Sequence, residues 1–419
     1  MVISIFEADR KTMVKKIVIV FICIGFFACE IRNTYELSTG SWLAQLEVME
    51  GEQLPFNFNL VKKEGNYVIE VLNADEVVTI DDIEIKQDSI YLKMAIFEGY
   101  IAATFTKETI EGSFIKESLD RVVPFKATYG EAPRFATKYT AAENVSGIWE
   151  TTFNPNDEDS YSAKGIFTQK QSIVKGTFRT TTGDYRYLQG VVDGDSLRLS
   201  TFDGAHAFLF TARVTDSSLT GTFYSGNHSK EKFVAVRNEN FELPDETSLT
   251  FLNKGYDKLE FSFPNEAGQL ISLSDPEFSG KTIVVQIMGT WCPNCLDETK
   301  FLTNYIRDKS NPNLKVIALA FEYARTKEDA FRGIQRLRDR VGVEYPILLA
   351  QYGTSNKSRA NEKLPMLNHV LSYPTTIFID GKGNVRKIHT GFNGPATGEK
   401  YQEFKLEFDK IIMELLAED

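Results

Sequence analysis

Between residues 38 and 238 the chain alternates apolar and polar positions in short runs, such as Tyr67-Val68-Ile69-Glu70-Val71 and Leu197-Arg198-Leu199, broken by Gly, Asn and Asp. A period of two puts successive side chains on opposite faces, so these runs predict antiparallel strands at intervals of about 8 to 12 residues, joined by tight turns. Beyond Ser248 the texture changes. Strand candidates at Ile283–Met288, Lys315–Phe321, Pro346–Ala350, Thr375–Asp380 and Val385–His389 alternate with helix-length amphipathic segments. Phe331, Ile334, Leu337 and Val341 fall at helical spacing, as do Tyr401, Phe404, Phe408, Ile411 and Leu415. Strands interleaved with helices predict an α/β layer with a mixed sheet. Asp380-Gly381-Lys382-Gly383-Asn384 reads as the turn of an antiparallel hairpin ending that sheet.

Two stretches of the β-patterned region are alike. Gly40-Ser41-Trp42 is echoed by Gly147-Ile148-Trp149, Asp88-Ser89-Ile90-Tyr91-Leu92 by Asp195-Ser196-Leu197-Arg198-Leu199, Phe97-Glu98-Gly99 by Phe202-Asp203-Gly204, and Gly112-Ser113-Phe114 by Gly221-Thr222-Phe223. Four ordered matches at near-constant offset argue for an internal duplication. The expected fold is multidomain: an antiparallel all-β N-terminal region, internally duplicated, followed by an α/β domain. Expected boundaries are 1–29 for an export segment, 38–128 and 147–238 for the two β copies, and 249–419 for the α/β domain. The pattern leaves open two barrels, sandwiches, or one large barrel. The polar stretch from Tyr129 to Ser146 separates the copies.

Composition is that of an ordinary globular chain, 42% hydrophobic and 25% charged over 419 residues. The formal net charge of −11 provides no basic field for phosphate backbones, so nucleic acid is not an expected partner. At the N-terminus, Lys15 and Lys16 precede an apolar or small run, Ile17 to Ala28. That run is shorter than the ~20 residues needed to span a bilayer and fits an export signal. Met13 is a more typical start for such a signal than Met1. Phe26-Phe27-Ala28-Cys29 resembles a bacterial lipoprotein cleavage site, with Phe26 where such sites usually have Leu. The resemblance implies lipidation and membrane attachment at Cys29; plain secretion and an uncleaved anchor are the alternatives. Each places the mature chain outside the cytosol, where thiols can be oxidised, and the expected location is the periplasmic side of a bacterial cell envelope.

Four cysteines occur, Cys23, Cys29, Cys292 and Cys295. Two lie in the export segment, which leaves one Cys-x-x-Cys pair. A ribbon-type zinc site needs a second pair, and His206, His228, His369 and His389 are scattered without ligand spacing, so no metal is expected. A structural disulfide closing so small a loop removes little chain entropy. A reactive dithiol is the simpler reading, with the Cys292–Cys295 disulfide itself as the redox group and no further cofactor. Trp291-Cys292-Pro293-Asn294-Cys295 follows an apolar strand and starts a helix predicted to run to about Lys309. Unpaired N–H groups and the helix dipole favour a thiolate there, so Cys292 is expected to be an exposed nucleophile. Cys295, three residues on and on the same helical face, would resolve the mixed disulfide formed on Cys292. Pro293 suits the first helical turn. With no His or charged residue between the cysteines, a reductant is favoured over an oxidant.

Trp291-Cys292-Pro293-Asn294-Cys295 and Tyr373-Pro374-Thr375-Thr376, with Leu273-Ser274, Gly280-Lys281 and the Gly381 to Asn384 turn, resemble the extracytoplasmic thioredoxin-like proteins of the TlpA/ResA type over residues 259 to 417. The resemblance implies a thioredoxin-like fold and thiol–disulfide exchange with protein clients, fed by a membrane dithiol electron donor. It implies that Pro374 is a cis proline beside the dithiol, that Tyr373 presents a backbone edge to clients, that Trp291 flanks the nucleophile, and that Glu298 handles the proton near Cys295. Thioredoxin itself has an Asp six residues before the first cysteine; here Gln286 stands there and cannot titrate. Gly289 replaces the Thr or Ser that peroxide reduction requires. Asp297 is expected to face solvent, and Gln351 to His369 to form a solvated insertion. Disulfide reduction leads; an oxidase or isomerase, and an envelope binding protein working through its β region, are the alternatives.

Overall fold

The computed structural model describes residues 36–418. The expected export segment, with Cys23 and Cys29, lies outside the described residues. Eighteen strands between Gly40 and Arg237 form two separate nine-stranded antiparallel sheets, one over residues 40–129 and one over 147–237. In the second, strand Ile173–Thr180 pairs on one side with Tyr161–Lys170 and on the other with Leu188–Asp193, which closes eight strands into a barrel. The short ninth strand, Gly183–Asp184, hooks back onto Arg179 and Thr180. The first sheet coils so that its two ends, Glu76–Ile80 and Asp82–Lys86, are neighbours in sequence.

The two sheets open alike. Gly40 and Gly147 both have φ in the left-handed region (126° and 114°), and each is followed two residues later by a buried tryptophan. Trp42 Nε1 donates to Ser38 O and Trp149 Nε1 to Val145 O, four residues back in both cases. Buried indole N–H groups need such partners. The interior of the second sheet is packed with rings in mutual contact, Phe153, Phe178, Tyr185, Phe210, Phe223 and Phe233 among them. The connecting stretch is not merely polar: Phe135 and Arg134 are buried, and Arg134 donates to Ser200 O in one sheet and to Leu72 O in the other.

The C-terminal domain follows its predicted elements closely. Its five-stranded sheet has the order Ile347–Gln351, Leu314–Phe321, Thr282–Met288, Thr375–Ile379, Val385–Thr390. The first three strands are parallel, and the last two run antiparallel as the predicted hairpin. Thr282–Met288, at the centre, is buried at every position because helices cover both faces of such a layer. Helix α1 spans Pro293–Lys309, α2 Lys327–Val341, α3 Lys357–Lys363 and α4 Glu399–Glu418. Thr326 caps α2 by accepting from Asp329 N, and Gly342 ends it at φ 75°. The segment from Gln351 to His369 is not a free insertion. It carries α3 and buries Ala360, Leu364 and Leu367, while Asn253 and Asn368 stitch it to residues 249–253.

Both β sheets dock on this domain. From the first, Asp81 pairs with Arg340 at 2.8 Å and Phe97 O accepts from Arg336. From the second, Arg179 donates to Asn393 and Glu246. No helix among the described residues is long and apolar enough to cross a membrane.

Candidate active site

Cys292 is the N-cap residue of α1. Its Sγ accepts from Cys295 N at 3.2 Å, so the sulfur sits where the unpaired N–H groups of the first turn converge. Pro293 occupies N1, where no N–H is needed. On its other side Cys292 Sγ lies 3.4 Å from Tyr373 O, and the Tyr373–Pro374 peptide bond is cis. The predicted group therefore meets in one place: Trp291, Cys292 and Cys295 at the helix tip, Tyr373 and Pro374 beside it. Trp291 packs edge-on to Tyr373, and its Nε1 donates to Phe321 O. Both cysteines are free thiols.

Cys295 is fully buried. Burial pushes its thiol well above the ordinary range, and its hydrogen bond to Cys292 acts the same way. Glu298, one turn on along α1, is a fully buried carboxyl whose charge also raises this thiol. Its Oε1 accepts from Thr376 Oγ1 at 2.5 Å and its Oε2 from Gln286 Nε2 at 2.8 Å, while Gln286 Nε2 also reaches Cys295 O. Burial raises the Glu298 carboxyl to about 7, against the lowering effect of both hydrogen bonds. Gln286 thus positions the titrating group without titrating itself.

The raised value makes a stability prediction. The folded state holds the Glu298 proton more tightly than the unfolded chain, so this contribution is fully present below the unfolded carboxylate pKa. It is lost as pH rises through about 7. Between about pH 5 and pH 8 wild type is expected to lose ~3 kcal/mol through this group. Glu298→Gln should flatten that slope, as urea unfolding of the full chain at both pH values would read.

Two expectations are corrected. Cys292 is not an exposed nucleophile: it is 7% exposed, and residues 182 and 184 of the second β sheet are hydrogen-bonded to Ser372 and Asn294 close by. Asp297 does not face solvent. It is buried in an ion pair with Arg186, a partner 111 residues earlier that outweighs the local preference of a first-turn acid for water. Arg186 also pairs with Glu76 of the first sheet at 2.5 Å and lies 3.6 Å from Asp203.

Sequence reasoning missed Glu322. It is buried at the end of strand Leu314–Phe321 and accepts from Thr290 N and Thr290 Oγ1, each at 2.8 Å, which fixes the segment leading into Trp291. Burial pushes it up to about 7. An acid ending an otherwise apolar strand was the available signal. Among the described residues no group of His, Cys, Asp and Glu side chains gathers to hold a metal ion.

Residues 254–403 match the Redoxin family. The chain is 27% identical over 158 residues to a thioredoxin-like protein of Bacillus subtilis, YneN, covering 38% of this chain and 81% of that protein. It is 25% identical over 154 residues to the thiol-disulfide oxidoreductase ResA of Halalkalibacterium halodurans, covering 36% and 75%. The C-terminal domain is a thioredoxin-fold thiol–disulfide oxidoreductase. A solved thiol-disulfide oxidoreductase from Bacteroides fragilis aligns with 36% of this chain and 99% of its own, at 19% identity and a TM-score of 0.27. The dithiol, the cis proline and the buried glutamate lie within the Redoxin match, and the two β sheets lie outside it.

Proposed function

We propose that this oxidoreductase reduces disulfides of exported proteins on the periplasmic side of a bacterial envelope, held there by a lipid on Cys29. The observation that carries the reading is the Cys292 sulfur at the N-terminus of α1 with the shielded Cys295 one turn behind it. Cys292 thiolate attacks one sulfur of a client disulfide, breaking that bond and expelling a client thiolate. Cys295 then attacks the Cys292 sulfur, forming the Cys292–Cys295 disulfide and releasing the second client thiol. Its proton passes to Glu298 or to water. Two electrons have moved to the client, and a membrane dithiol donor restores the reduced pair. The names of similar proteins, ResA and the thiol:disulfide interchange protein DsbE of Xylella fastidiosa, support exchange chemistry and leave its direction to experiment.

The β region is proposed to be an internal duplication, supported by the matched Trp42 and Trp149 environments, and to shape client access. Its ring-filled second core speaks against a ligand cavity as the main function. Direction is tested by equilibrating the purified full chain with glutathione buffers. A dithiol potential below about −200 mV is expected, and one well above it would make the protein an oxidant or isomerase.

A further inference from the structure

The rim of the dithiol cleft is occupied by the chain itself. Three segments of the oxidoreductase domain lie about the dithiol: the first turn of α1, which carries it, the residues before Pro374, with Tyr373 O at 3.4 Å from Cys292 Sγ, and the loop after strand Val385–Thr390, where Gly391 N donates to Pro374 O. All three hold the turn formed by residues 181–184 of the second β sheet. Ser372 Oγ donates to Thr182 O at 2.8 Å, Asn294 Nδ2 to Asp184 O at 3.2 Å, and Gly394 N to Asp184 Oδ2 at 2.8 Å. The fit is close at two glycines. A Cβ on Gly183, whose φ is 144°, would stand 2.0 Å from Asn294 Nδ2, and one on Gly391, at φ 77°, would meet Thr182 C at 2.9 Å.

The turn is also anchored from behind. Asp184 Oδ1 accepts from Arg186 N, and the buried Arg186 guanidinium reaches Asp297 on α1 and Glu76 on the first sheet. All three parts of the protein therefore converge on the position of this turn. Of the residues bordering the nucleophile, Asn294 beside it and Ser372 beside Tyr373 are the two that bind it through side chains.

A disulfide can react only if one of its sulfurs reaches Cys292 Sγ along the axis of the S–S bond being broken, which demands open space on the client side of the sulfur. A small disulfide needs little. A disulfide fixed in a protein brings backbone on both sides, and that backbone collides with residues 181–184 where they lie against Ser372 and Asn294.

We propose that the turn Thr181–Asp184 is a specificity gate: while seated it admits small disulfides to Cys292, and it must be displaced before a disulfide borne on a polypeptide can react. The gate rests on the exchange reading above, and its test separates the two. The full chain and its Gly183→Asp variant, which forces a Cβ against Asn294 and adds a carboxylate next to Asp184, are compared as reductants of two substrates. One is the small aromatic disulfide dithiobis(nitrobenzoate) and the other is insulin. The variant is expected to reduce insulin about tenfold faster while its rate with the small disulfide changes less than about twofold. Equal changes with both substrates, or none in a variant whose circular dichroism matches wild type, would overturn the gate. If neither protein reduces the small disulfide, the exchange reading fails instead.

Should the variant not fold, the reduced wild-type chain still decides the matter. Cys292 should react with a long polyethylene-glycol maleimide at least about tenfold more slowly than with N-ethylmaleimide, after each rate is normalised to the same reagent acting on a cysteine peptide. Equal normalised rates would show that nothing gates the sulfur.

Discussion

Cys295→Ser is expected to accumulate client proteins covalently on Cys292, whereas Cys292→Ser accumulates none and loses disulfide reduction by about a thousandfold or more. The asymmetry follows from position. Cys292 sits at the helix tip, its sulfur receiving the Cys295 N–H, and it can form the first bond to a client. Cys295 is fully buried with a raised thiol pKa, so it meets a client only as a mixed disulfide already attached to its neighbour. Without it, that mixed disulfide has no resolving partner three residues away. Non-reducing electrophoresis of the two variants, expressed as full chains in a native envelope, reads the result. Equal trapping by both would mean that the roles of the two sulfurs are not distinct.

Arg186→Ala is expected to lower the unfolding free energy by about 3–5 kcal/mol. The arginine is 3% exposed and stands among Asp297, Glu76 and Asp203, with Asp184 two residues away. Removing it leaves several buried carboxylates without their cation, which costs more than the pairing itself contributes. Because these acids belong to the first sheet, the second sheet and α1, the loss should be felt across the whole unit and should also free the turn over Cys292. Denaturant unfolding of the full chain checks the magnitude, and a change below about 1 kcal/mol would show that the network relaxes without Arg186.

The oxidoreductase half was legible because its signals are local. Four of its five strands are almost wholly buried and rich in apolar residues, and the observed limits of Thr282–Met288 and Leu314–Phe321 differ from the expected ones by one residue. The helix tip announces itself through Trp291-Cys292-Pro293, while the cis state of Pro374 came from the family resemblance of Tyr373-Pro374-Thr375-Thr376. In the β half, alternation revealed strands but not their closure. That Ile173–Thr180 takes Leu188–Asp193 as a second neighbour depends on how far the sheet coils, which a period of two does not encode. Most hidden were the contacts over the dithiol. Asp184 meets Gly394 across 210 residues and Ser372 meets Thr182 across 190, so neither the burial of Cys292 nor the pairing of Asp297 has a trace in the flanking sequence. Glu298 lay between these extremes. Its place near the dithiol was implied by the family resemblance, while its hydrogen bonds depend on Thr376 and Gln286 arriving from two strands.

The central claim is that Cys292 and Cys295 interconvert between dithiol and disulfide. Mass spectrometry of the full chain, equilibrated across graded ratios of reduced to oxidised dithiothreitol and then alkylated, tests it directly. The expected result is a single transition in which both alkyl groups disappear together and a peptide carrying an internal Cys292–Cys295 bond takes their place. Two thiols that alkylate independently at every ratio, with no such peptide, would contradict the account.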